Sequence, residues 1–146
     1  MRRASVIFLL ALAVLSCSRP LSRETFVLKD WAGVGNMYAF DLDLSDSTVA
    51  YSLSFYTRMD RKAFEAFRTE AIPLNIRWIS PSDSSCSEKA FLSVEGQDSA
   101  YFFKDIISPF KQGFRPFEPG VWRLRVQVPR NCAVLRGLGM ICKREE

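Results

Sequence analysis

Met37-Tyr-Ala-Phe-Asp-Leu-Asp-Leu44 is the stretch that decides the fold. Tyr38, Phe40, Leu42 and Leu44 fall on one face of an extended chain, and Asp41 and Asp43 on the other. Successive side chains of a strand point to opposite faces, so this pattern predicts a strand with one dry side. Asp43-Leu-Ser-Asp-Ser-Thr48 then supplies turn-forming side chains. The same period resumes in Val49, Tyr51, Leu53 and Phe55, alternating with Ala50, Ser52, Ser54 and Tyr56. It recurs in Ile72, Leu74, Ile76 and Trp78, between Pro73, Asn75 and Arg77, and in Trp122, Leu124, Val126 and Val128, between Arg123, Arg125 and Gln127. Half-buried alternation of this kind belongs to antiparallel sheets.

Weaker strand signals cover residues 88–95 and 100–104. Residues 134–143 are apolar on both faces, with Gly137 and Gly139 interposed. That composition predicts a central strand approached closely by another backbone. Ser80-Pro-Ser-Asp-Ser-Ser85 reads as a loop, and Glu118-Pro-Gly120 as a tight turn into the Trp122 strand. One short helix is expected at 62–71, where Phe64, Phe67 and Ala71 share a face and Asp60 is placed to cap it. The expected fold is all-β: an antiparallel, jelly-roll-like β-sandwich, with a small closed barrel as the alternative.

The N-terminus carries a different signal. Arg2 and Arg3 precede the apolar run Val6-Ile-Phe-Leu-Leu-Ala-Leu-Ala-Val-Leu15, and Ser16 and Cys17 close it. Charged, apolar and small-residue regions in that order mark an export signal. The run is shorter than the roughly 20 residues that span a bilayer. Val14-Leu-Ser-Cys17 fits a lipobox, in which the cysteine thiol takes a diacylglyceryl group before cleavage. The expected organisation is a lipoprotein signal at 1–16, lipidated Cys17 with a short tether at 17–24, and one β-sandwich domain at 25–146. No cofactor is expected beyond the covalent lipid on Cys17.

Without the first sixteen of 146 residues, 130 remain, enough for one domain with a real core. Loss of Arg2 and Arg3 lowers the net charge from +4 to +2, too weak a field to suggest a nucleic-acid partner. The chain contains no histidine. Ser-His-Asp and Cys-His catalysis, histidine bases and histidine metal ligands are therefore excluded. Asp41, Asp43 and Asp46 resemble part of a calcium set, but lack the glycine and distant glutamate of an EF-hand loop. A solvated strand face running into a turn is the preferred reading. Glu65, Glu70, Glu88 and Glu95 carry no spacing that places two carboxylates across a cleft. The expectation is a non-enzymatic protein.

The candidate binding surface is drawn from Trp31, Tyr56, Tyr101, Arg123 and Arg125. Trp31, beside Gly33 and Gly35, lies outside the strong strands, and Tyr56 is out of phase with its core face. Arg123 and Arg125 project from the polar side of one strand, suited to acidic partners or to cross-strand carboxylates. Trp78 and Trp122 are in phase with the apolar faces and are assigned to the core. Beyond Cys17 there are Cys86, Cys132 and Cys142. An exported compartment permits disulfides. Cys132 and Cys142 stand ten residues apart in one extended segment, roughly 30 Å, which prevents their pairing. Cys86 with Cys132 or Cys142 is the candidate disulfide, and three free thiols are the alternative.

Phe117-Glu-Pro-Gly120-Val-Trp122-Arg-Leu124-Arg-Val126-Gln127-Val-Pro-Arg130, followed by Leu135-Arg-Gly137-Leu-Gly139-Met140, resembles the gliding-motility lipoprotein GldH family. Arg58, Phe64, Phe67, Ile72-Pro-Leu-Asn-Ile76, Pro81 and Glu88 follow in similar order, so the resemblance runs from about Val49 to the C-terminus. The chain departs from the family at Pro129, where the family has Met, and near Ser99 to Phe110, where a Gly- and Trp-rich segment has no counterpart. The resemblance implies an envelope lipoprotein that supports a surface motility or secretion machine. The expected role is thus an accessory or scaffold component, lipid-anchored in the outer membrane, facing the periplasm and engaging envelope proteins. A glycan- or lipid-binding module of the envelope is the alternative.

Overall fold

The computed structural model describes residues 20–66, 71–94, 102–130 and 135–145. The lipobox and Cys17 lie outside these residues, as do Tyr101 and Cys132.

The described residues form eight strands: β1 (Ser22–Leu28), β2 (Met37–Leu44), β3 (Ala50–Asp60), β4 (Ala71–Ile79), β5 (Ser85–Ser93), β6 (Phe103–Phe114), β7 (Gly120–Gln127) and β8 (Gly137–Glu145). Sheet A has the order β1-β8-β3-β6 and sheet B the order β2-β7-β4-β5, and neighbouring strands pair antiparallel throughout. Sequential strands thus alternate between the sheets, except β4 and β5, which pair directly. This is the strand order of an eight-stranded jelly roll. The sandwich is as expected from the alternation, and among the described residues the two sheets stay separate instead of closing into the alternative barrel.

The alternating apolar residues fill the space between the sheets. Phe40, Leu44, Leu53, Phe55, Leu74, Ile76, Leu124 and Met140 are all buried. Trp78 and Trp122 meet edge to face, with ring centroids 6.0 Å apart. Each indole N–H has an acceptor: Glu88 Oε1 at 2.6 Å for Trp78, and the Glu118 carbonyl at 2.9 Å for Trp122. Buried indoles require such partners.

β8 lies between β1 and β3, the central position expected for the glycine-bearing segment. A Cβ on Gly137 would sit 2.5 Å from the Val27 carbonyl oxygen, so only glycine fits there. The turns follow their side chains. Asp43 Oδ1 accepts from the Ser45 N–H and hydroxyl, and Asp46 Oδ1 from those of Thr48. Such Asx-type bonds substitute for the strand ladder and reverse the chain. Gly120 starts β7 at φ +146, against Pro81.

Three expectations change. Ser22–Glu24, read as tether, belong to β1 and pair with Ile141–Lys143. The segment lacks strict alternation because β1 is an edge strand whose first residues are exposed on both sides. The helix is described over Arg61–Ala66 (α1), and residues 67–70, with Phe67, lie outside the described set. Asp60, the expected cap, ends β3 and accepts from Arg136 Nε at 2.7 Å, while Ala71, expected in the helix, opens β4. Finally, β6 spans 103–114 rather than 100–104. Its inward stripe includes Ser108, which is buried and accepts from the Ser93 N–H at 3.1 Å. A polar residue on the core face, with Pro109 beside it, breaks the apolar period. Pro109 is tolerated because β6 is an edge strand.

Candidate functional site

The topology gives the molecule two ends. One carries the start of β1, the β2–β3, β4–β5 and β6–β7 turns, and the end of β8. The other carries the 3-10 turn Lys29–Trp31, α1 and the approaches to β4, β6 and β8. The two outer sheet faces lie between these ends.

Of the expected aromatic surface, Trp31 and Tyr56 are described, and they lie on different elements. Trp31 is 77% exposed in its 3-10 turn. Tyr56 sits in the middle of β3, half-buried, with its ring 5.1 Å from that of Phe26. It covers Gly139 on the outer face of sheet A, so exposure was the wrong inference from its phase. A residue off the core face is still covered when its cross-strand partner is glycine, which leaves the sheet open for a ring. Among the described residues no ring contact joins Trp31 to Tyr56.

The cysteines do not form the Cys86–Cys142 bridge. Cys86 is an exposed free thiol on β5 of sheet B, and Cys142 a half-buried free thiol on β8 of sheet A. Opposite-sheet placement separates them. Burial pushes the Cys142 thiol up to about 11, with Asp43 adding to the rise and Arg23 opposing it. It is a packed, protonated thiol at neutral pH, not a nucleophile.

The aspartates are engaged locally. Besides its turn bonds, Asp46 pairs through Oδ2 with Arg144, and its backbone exchanges bonds with the Tyr51 hydroxyl, each 3.1 Å. Among the described residues no group of three or more acids or cysteines is arranged to hold a metal.

The arginines meet a different environment from one another. Arg123 stands opposite Asp41 on β2 and pairs with Asp83 of the β4–β5 loop. Arg125 stands opposite Ala39 on one side and Arg77 on the other. One row further, Gln127, Asn75 and Lys89 are neighbours across β7, β4 and β5. These residues line an open groove of about 470 Å³ on the outer face of sheet B. The alternation had marked Asn75 and Arg77 as outward, but the register that places Arg77 beside Arg125 is a property of the paired sheet. Lys89 and Phe91 went unrecognised because β5 has few apolar inward residues to set its phase.

Beneath this face, Glu88 joins the two edge strands. Its carboxylate takes the Trp78 N–H through one oxygen and Lys111 Nζ of β6 through the other, at 2.9 Å. The pair spans the gap between the sheets at the side where no backbone ladder connects them.

No family model and no curated relative matches the chain. Among solved structures, a protein of Sulfurospirillum deleyianum is similar at 10% identity, with 88% of this chain and 99% of that chain covered and a TM-score of 0.42. An arabinose-bound α-L-arabinofuranosidase is similar at 9% identity, with 90% of this chain and 24% of the enzyme covered and a TM-score of 0.35. Both likenesses are too distant to carry function.

Proposed function

We propose that the chain is a lipid-anchored lipoprotein of the outer membrane whose jelly roll faces the periplasm and serves as a non-enzymatic accessory or scaffold of a motility- or secretion-type assembly. The observation that carries this reading is Val14-Leu-Ser-Cys17 at the end of an apolar run that follows Arg2 and Arg3. The resemblance of residues 49–146 to the GldH family points the same way.

The start of β1 sharpens the consequence. Only Ser18–Leu21 separate Cys17 from Ser22, so a fully extended tether reaches about 17 Å. The end of the sandwich that holds Ser22 is then kept against the bilayer. That end also presents Leu21 at 53% and Phe117 at 79% exposure, apolar side chains suited to a lipid interface. Ser18, rather than aspartate, after Cys17 supports the outer-membrane assignment.

Metabolic labelling with an alkyne palmitate is the test of the anchor. The natural chain takes up label and fractionates with membranes, and Cys17→Ser abolishes both. Label retained in Cys17→Ser overturns the lipoprotein reading. Cross-linking in cells tests the scaffold role: the expected result is reproducible capture of an envelope protein, and its absence overturns that role.

A further inference from the structure

Two rows of side chains stand in register on the outer face of sheet B. The first runs Ala39, Arg125, Arg77, Ser87 across β2, β7, β4 and β5. The second runs Met37, Gln127, Asn75, Lys89. Neither row contains an acid. Arg125 and Arg77 are direct cross-strand neighbours, and like charges so placed oppose folding. Arg77 Nη2 donates to Ser85 Oγ at 3.1 Å. The side chains of Arg125, Lys89, Asn75 and Gln127 have no hydrogen-bond or ion-pair partner among the described residues. Glu88, beside Lys89, directs its carboxylate inward to Trp78 and Lys111. Glu88 also lines the groove, with both carboxylate oxygens taken up by those two partners, and Asp41, on the same face, stands opposite Arg123. The groove is therefore a concentration of uncompensated cations with free amides between them. Phe91, 65% exposed, follows Lys89 on the same side of β5 and stands opposite Pro73.

We propose that this groove binds an anionic saccharide, a sugar carrying a carboxylate or a phosphate. Arg77 and Arg125 take the anionic group, since paired guanidinium forks match its oxygens. The amides of Asn75 and Gln127 both donate and accept, as sugar hydroxyls require. Phe91 receives the apolar C–H face of the ring. A phospholipid headgroup fits the same charges but not the place. Arg77 lies two residues and Asn75 four residues before the end of β4, about 7 and 13 Å above the loops of the tethered end. This last step rests on the anchoring proposed above, whereas the saccharide site itself does not depend on Cys17.

The test is calorimetric titration of the full chain, in neutral detergent at low salt, with an oligogalacturonate, with mannose 6-phosphate and with an uncharged galacto-oligosaccharide. At least one anionic sugar binds, and the neutral one binds at least about tenfold more weakly, as loss of a charge-assisted contact entails. Arg77→Ala and Arg125→Ala each lower the affinity by about tenfold or more without lowering the melting temperature. Cys17→Ser leaves sugar binding unchanged, which separates this site from the anchor. Failure of both anionic sugars to bind overturns the proposal, and so does binding that survives both arginine variants. Vesicles of anionic phospholipid bound through Arg77 and Arg125, with no sugar bound, assign the face to lipid and overturn it as well.

Discussion

Tyr56 lies across Gly139, its direct partner on the neighbouring strand, and the ring fills the space that any side chain on Gly139 would need. Phe26 on β1 flanks the same ring, so β3, β8 and β1 are joined on the outer face of sheet A by one aromatic contact. Gly139→Ala is expected to destabilise the fold by about 1–3 kcal/mol, the usual cost of overpacking. In a Tyr56→Ala background the same change should cost much less, because the space is then empty. A double-mutant cycle by urea denaturation measures this coupling. Equal costs in both backgrounds contradict the contact.

Glu88 satisfies a buried indole and a lysine from the opposite sheet at once. Glu88→Ala leaves the Trp78 N–H without its acceptor, which costs about 1–3 kcal/mol. Lys111→Ala removes a partly exposed ion pair and a contact with the Phe110 ring, and should cost about 1 kcal/mol or less. Chemical denaturation of the two variants should rank them in that order.

The raised Cys142 thiol predicts how stability depends on alkaline pH. The unfolded thiol loses its proton near its ordinary value of 9.0, while the folded one holds it to about 11. Across that window the folded state binds more protons, so stability falls as pH rises. The contribution is fully present below pH 9 and lost by about pH 11. Cys142→Ala should flatten the onset of this decline, although Tyr38, Tyr51 and Tyr56, also raised chiefly by burial, continue it at higher pH. Below pH 9 a thiol reagent should modify exposed Cys86 first and leave Cys142 largely intact.

Arg77 and Arg125 oppose each other across two strands with no acid in their row. Replacing either with alanine should leave stability unchanged or raise it by about 0.2–1 kcal/mol. Differential scanning calorimetry at low salt is the suitable measurement, since screening weakens the repulsion. A lowered melting temperature in both variants means that the arginines support the sheet instead.

The strand faces, the core tryptophans, the central position of the segment that holds Gly137 and Gly139 and the all-β class follow from the sequence by itself, whereas the sheet order is what separates the jelly roll from a barrel. A residue's side of a strand is set by its position modulo two, which is local information. Edge strands were harder to read: β1 is exposed at its start, and β6 carries Ser108 and Pro109, so neither needs a strict apolar period. The lipid anchor proposed at Cys17 rests on residue order alone, since residues 1–19 lie outside the described set. What only the tertiary structure decided is which outward residues meet. Arg77 and Arg125 are 48 positions apart in sequence and adjacent in space because β4 pairs with β7 in one register. Tyr56 is covered rather than displayed because its partner across the strand is glycine. Such pairings depend on long-range register, which no local period encodes.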